Sequence, residues 1–253
     1  MAMIWTRINT IILLLVLFAL LAVIAMLAAG ARGGPLDPPA APGSTDSVRL
    51  PGTPISGPTT ITQSGHYYLT RNIAVTGAQT AITISASGVT LDLGGFTIDG
   101  DDNAGSLGIS ISDGGFENIT IDNGVVSDFL IGLNVDAGNA VRVDRVTASS
   151  NVVGMEVGPS SAVSNCIARR NTTGISLLVG DVGFAGSAVR DCQVSSNSSI
   201  GVYSTIRGTI SGSDFDGNPT DFNAPATELV VIDTTFCTSS GNIVFVSGYD
   251  ACP

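Results

Sequence analysis

The chain contains no lysine: all ten of its basic residues are arginine, against 21 acidic ones, and the formal net charge is -11. Nucleic-acid binding needs a concentrated basic face that neutralises phosphates, so that class of function is excluded. There is a single histidine, His66, and three of the four methionines (Met1, Met3, Met26) fall in the N-terminal leader, which leaves no His and Met cluster for copper. Glutamate is scarce too, confined to Glu117, Glu156 and Glu228, while the other acidic residues are aspartate. That bias, with 31 glycines, suits strands and tight turns and argues against a helical protein. The four cysteines include no Cys-x-x-Cys pair, so a thiolate metal site is disfavoured.

What the chain does have begins with a leader. Ile11 to Ala29 is an unbroken apolar run preceded by Arg7 and followed by Ala29-Gly30-Ala31, a small-x-small pattern fitting a signal-peptidase site. At about 1.5 Å per residue the run also just crosses a hydrocarbon core, so residues 1–31 read equally as a cleaved signal peptide or as an uncleaved anchor helix. Either way the expectation is an extracytoplasmic protein, secreted or membrane-anchored, touching the membrane only through this helix. Residues 32–52 are rich in Pro, Gly, Ala and Ser without apolar periodicity, as in a flexible linker. Residues 53–253 are long enough for one sizeable core. The positive mean hydropathy of +0.41 owes much to the leader and implies no further span.

An internal repeat organises that domain. A Gly-apolar-x-apolar tetrad recurs as Gly108-Ile109-Ser110-Ile111, Gly132-Leu133-Asn134-Val135, Gly154-Met155-Glu156-Val157 and Gly174-Ile175-Ser176-Leu177, then more weakly from Gly201 to Ser204, at spacings of 24, 22, 20 and 27. A second marker recurs at Asp122, Asp144, Asn165, Asp191, Gly212 and Asp233, with spacings of 22, 21, 26, 21 and 21. Alternation of period 2 within each tetrad predicts a short strand with one buried face. A common period near 22 residues predicts one coil of a solenoid. With coils stacked about 4.8 Å apart, Ile109, Leu133, Met155, Ile175 and Val202 form an inner column, and Ser110, Asn134, Glu156, Ser176 and Tyr203 an outer row. A β-sandwich is the competing fold, and it does not explain the shared register.

The segment Ile61-Thr62-Gln63-Ser64-Gly65-His66-Tyr67-Tyr68-Leu69, leading through Ala81 to Ile84 into Val89-Thr90-Leu91-Asp92-Leu93-Gly94-Gly95-Phe96-Thr97-Ile98-Asp99-Gly100, resembles the opening coils of right-handed parallel β-helix repeat proteins of the pectin-lyase-like superfamily. Gly94 departs from the asparagine common there. The resemblance implies an all-β, right-handed parallel β-helix from about Thr53 onward. It does not imply one activity, because the superfamily holds lyases, hydrolases, epimerases, adhesins and proteins without chemistry.

An even number of cysteines in an exported chain favours disulfides. Cys166 and Cys192 each follow a marker residue on adjacent coils, which predicts a pairing between them and leaves Cys237 with Cys252 as a C-terminal clamp. Three sequons, at Asn118, Asn171 and Asn197, read more simply as turn residues than as glycan acceptors.

Candidate chemistry is thin. The resemblance makes hydrolase-type clustered aspartates with His-Gly and Arg-x-Lys elements the pattern to seek, yet His66 is followed by Tyr67 and lysine is absent. A lyase or epimerase using an arginine base would draw on Arg145, Arg169 or Arg170, with Arg142 and Arg190 in the same strip. Asp99, Asp101 and Asp102 offer hard oxygens that suit calcium or a solvated turn; no other cofactor is implied. Tyr203 is the candidate sugar-stacking aromatic of the outer row. The expected function is a non-catalytic binding or scaffold module for polysaccharide or another cell-envelope component, with a small uronate lyase or epimerase as the alternative.

Overall fold

The computed structural model describes residues 52–112, 114–178 and 186–247. The leader, most of the linker, the Gly-rich segment 179–185 and Cys252 lie outside them. Among the described residues no helix is long and apolar enough to cross a membrane.

The described chain is a solenoid of short strands, and every ladder between consecutive coils is parallel. Three faces run along it. The first face stacks Thr80–Ile84, Leu107–Ile111, Ile131–Val135, Val153–Val157, Thr173–Leu177 and Ile200–Ser204. The second stacks Val89–Asp92, the starts of Thr120–Ser127 and Arg142–Ser149, then Ala162–Ser164, Ser187–Arg190 and Gly208–Ser211. The third stacks Thr97–Asp99, the ends of the two long strands, Ile167–Arg169, Gln193–Ser195 and Asp214–Asp216.

Alternation delivers one column of apolar side chains to the interior from each face. On the first face it is Ile82, Ile109, Leu133, Met155, Ile175, Val202 and Phe222, all fully buried. The tetrad reading therefore holds residue by residue. At the C-terminal end Phe215, Phe222 and Phe236 fill the bore, with ring centroids 4.5 and 5.1 Å apart.

The corners explain the polar repeat and correct it by one residue. Between the second and third faces Asn123, Arg145, Asn165, Asp191, Gly212 and Asp233 all adopt positive φ, between 45 and 61°. Asn and Asp tolerate this conformation better than most residues, which is why they recur there. Asp122 and Asp144 stand one position earlier, on the strand itself, in register with Asp92 and Ser164.

Inside one corner runs an asparagine ladder that the repeat search did not single out. Asn151, Asn171, Asn197 and Asn218 stack with Oδ1 of each accepting the backbone N–H of the residue one coil before, at 2.9–3.0 Å. Each Nδ2 donates to a carbonyl oxygen: Val126, Ala148, Ala168 and Val194 respectively. This satisfies groups that the turn would otherwise bury unpaired. The sequons at Asn171 and Asn197 are thus structural, each residue being only 1% exposed.

The cysteine reading requires correction. Cys166 and Cys192 do lie on adjacent coils in the same register, but they are free, buried thiols. Their sulfurs belong to a second inner ladder: Val146 N–H donates to Cys166 Sγ at 3.4 Å, Cys166 Sγ donates to the Ser164 carbonyl at 3.1 Å, and Cys192 Sγ donates to the Arg190 carbonyl at 3.1 Å. The hydrogen bond with Cys192 and then burial push the Cys166 thiol well above its ordinary pKa, so it stays protonated. The expected pairing of Cys237 with Cys252 falls partly outside the described residues.

Candidate functional site

The five arginines do not form one strip. Arg142 and Arg190 start and end strands of the second face, in register with Ala162 and Ser164 respectively. Arg169 lies on the third face beside Ser149 and Ser195, and Arg170 turns the following corner with φ 55°. Arg145 sits at the other corner and binds two carboxylates, those of Asp122 and of Asp144, the latter at 2.8 Å. Its side chain is 58% exposed, so these pairs contribute about 1 kcal/mol at most. They also occupy its guanidinium, which is then poorly placed to act on a substrate.

Asp92, Asp122 and Asp144 stack on three successive coils. Burial, reinforced by the charges of Asp144 and Asp92, raises the pKa of Asp122 despite Arg145. Hydrogen bonds from Asn165 and Ser164, together with Arg145, lower that of Asp144. Of Asp99, Asp101 and Asp102, Asp99 accepts from Ser127 Oγ at 2.6 Å, Asp101 accepts from Gly77 N–H at 2.9 Å, and Asp102 turns with φ 59°. Asp99 and Asp102 both lie close enough to Asp128 to act on its carboxyl. Among the described residues no group of three or more His, Cys, Asp or Glu is arranged to hold a metal ion.

The described residues form at least two concave surfaces. One, of about 520 Å³, lies at the N-terminal end around Pro54, Pro58, Gln63 and Tyr67, where the tyrosine hydroxyl is already bonded to the Gln63 carbonyl. The other, also about 520 Å³, is a groove on the second face floored by Ala162, Ala188 and Thr209 and flanked by Arg190 and Arg207. Neither arginine has an ion pair among the described residues. Arg207 was not legible as a site residue, because nothing in the repeat marks it.

A further set of polar groups is the outer row of the first face. Ser110, Asn134, Glu156, Ser176 and Tyr203 follow one another in strict register on consecutive coils, as the tetrads predict. At about 4.8 Å per coil the row spans roughly 19 Å. At the start of the same strands Leu107, Ile131, Val153, Thr173 and Ile200 form another half-buried row in register.

No family model matches the chain, and no curated protein does. Among solved structures the crystal structure of pectate lyase Pel9A is similar at 14% identity and a TM-score of 0.45, the likeness covering 80% of this chain and 67% of that one. The parallel ladders on three faces decide the fold. The chain is a parallel β-helix.

Within this β-helix, Glu156 is half-buried and has no ion pair among the described residues. Its pKa is raised by burial first and then by the charge of Asp136. A carboxylate whose folded pKa exceeds its unfolded value binds more protons when folded. Its contribution to stability is therefore lost as pH rises from the unfolded pKa through the raised one. Glu156→Gln is expected to be more stable than the parent at neutral pH, by under about 1 kcal/mol because the group is partly solvated, and no more stable near pH 4. Urea unfolding at the two pH values checks this.

Proposed function

We propose that this β-helix is a non-catalytic, extracytoplasmic module that binds polysaccharide on the flat first face and does not turn it over. The observation that carries this reading is the outer row: hydroxyls, an amide, a carboxylate and one tyrosine in register over five coils. Sugars present hydroxyls at their edges and an apolar face to an aromatic ring, which is the chemistry such a row answers. A flat face without a pocket supports binding better than chemistry, because catalysis needs reacting groups to converge. The arginines proposed as bases are spread over two faces and two corners. The N-terminal leader would place the module outside the cytoplasm.

The test is a glycan array run on the full chain in mild detergent, alongside a degradation assay that follows unsaturated-product absorbance with and without calcium. Binding without product is expected, and Tyr203→Ala should weaken it about tenfold, the effect of one lost aromatic contact. The uronate lyase is the second reading, and the groove between Arg190 and Arg207 is the feature that favours it. Product formation abolished by Arg190→Ala, Arg169→Ala or Arg170→Ala would establish that reading in place of the first.

A further inference from the structure

The outward column of the second face loses its bulk at one place. In register along the solenoid it reads Arg142, Ala162, Ala188, Thr209 and Val230. Two methyl groups on consecutive coils thus lie between larger side chains, and the groove of about 520 Å³ opens over them.

The charge around this floor is the reverse of the chain's. Acids outnumber bases 21 to 10, yet among the described residues lining the groove the charged ones are Arg190 and Arg207. Both are exposed, and neither has an ion pair among the described residues. In the column of Arg190 the neighbours one coil either way are Ser164 and Ser211, so no carboxylate is stacked against it. A cationic pair left uncompensated in an acidic protein selects an anionic partner. No aromatic ring lines the groove among the described residues, so a sugar would find no stacking surface there.

Register fixes the spacing of the two charges. Ala188 pairs with Thr209, Arg190 stands two residues after Ala188, and Arg207 stands two residues before Thr209. The arginines are therefore offset by four residues along the strand direction, about 13 Å at about 3.3 Å per residue, and by one coil across it. An extended peptide has the same repeat: its residues i and i+4 lie about 13 Å apart on one face, with i+2 between them on that face. Laid along the strands with acids at Arg207 and Arg190, such a peptide sets its middle side chain over the alanine floor.

We infer that the groove of the second face docks an extended acidic segment of a partner protein, of the form acid-x-apolar-x-acid. This site lies on a different face from the row of Ser110 to Tyr203, and it goes beyond the polysaccharide-binding function without depending on it.

The experiment uses fluorescence anisotropy of the full chain in mild detergent with a labelled peptide Gly-Ser-Glu-Thr-Val-Thr-Glu-Ser-Gly, at low and high salt. A peptide of the same composition with its two glutamates adjacent, and polygalacturonate as competitor, complete the set. The first peptide is expected to bind at low salt, more tightly than the rearranged one, and to weaken as salt rises. Arg190→Gln and Arg207→Gln should each weaken it about fivefold, the upper end for a solvent-accessible ion pair, with the unfolding midpoint unchanged. Failure of the first peptide to bind, or binding indifferent to both substitutions, overturns the inference. Equal binding of the rearranged peptide overturns it too, because the spacing of the arginines then selects nothing. Polygalacturonate that displaces the peptide and binds more tightly, in a manner dependent on both arginines, makes the groove a saccharide site and likewise overturns it. The glycan array reports on the first face separately, so none of these outcomes decides the proposed function.

Discussion

Asn197→Ala is expected to destabilise the solenoid by about 3–5 kcal/mol, among the largest effects a single substitution has here. The side chain of Asn197 accepts from Asn171 N–H and Asn171 Nδ2 and donates to Ala168 O and Asn218 Oδ1, at 2.9–3.1 Å. Alanine leaves both Asn171 donors and the Ala168 carbonyl without these partners in the buried corner, each such loss being worth about 1–3 kcal/mol. The central position of Asn197 spreads the damage over two coils, since Asn171 and Asn218 belong to the coils on either side. Urea unfolding followed by circular dichroism measures the change, with Asn134→Ala as the comparison. Asn134 is the same residue type facing outward, and its loss should shift stability by no more than about 0.5 kcal/mol. Equal losses in the two variants would show that the ladder does not hold the coils together.

Gly174→Ala is expected to lower stability by about 2–4 kcal/mol, for a steric reason. A Cβ at this position would lie 2.6 Å from the Gly201 carbonyl oxygen and 2.9 Å from both Asn197 Nδ2 and Val194 Cγ1. The glycine of the tetrad therefore marks a place where one coil approaches the next closely against the asparagine ladder, and a positive φ plays no part. Gly132 is similar, with its absent Cβ 2.7 Å from the Gly154 carbonyl oxygen. Gly57, whose added Cβ would meet nothing within 4 Å, provides the control. Its replacement by alanine should be neutral or slightly stabilising, through lower entropy of the unfolded chain. Thermal unfolding of the two variants separates steric exclusion from a general intolerance of the repeat to substitution.

The inner column from Ile109 to Val202 and the outer row from Ser110 to Tyr203 were legible in full. Both follow from alternation, a property of neighbouring residues that survives any arrangement of the coils. The polar marker was legible only to within one residue. Aspartate on a strand (Asp122, Asp144) and asparagine or aspartate at the corner (Asn165, Asp191) look alike in sequence, and only the observed φ values separate them. Arg145 at that corner is the exception that hid the pattern. The asparagine ladder did leave a signal: Asn151 and Asn171 each stand three residues before a tetrad glycine. Asparagine is also an ordinary turn residue, so that signal is ambiguous until burial is known.

The cysteines and arginines mark the other limit. Register placed Cys166 over Cys192, but whether two stacked sulfurs bond to each other or accept and donate hydrogens within a ladder depends on how the neighbouring backbone groups are satisfied. The arginines were placed on successive coils correctly, yet which face or corner each occupies depends on how many residues every turn consumes. A coil of variable length defeats that count from sequence.

The sequence by itself determined the coil period, the strand faces and the absence of lysine-based chemistry, because alternation, spacing and composition are local or global counts. Only the tertiary structure decided which polar side chains meet: Asn171 with Asn197, Arg145 with Asp122 and Asp144, and Glu156 with no partner. Apart from the neighbours Arg145 and Asp144, those meetings lie between residues 20 or more positions apart, and the closing of each corner at positive φ, which no single residue type specifies, sets their register.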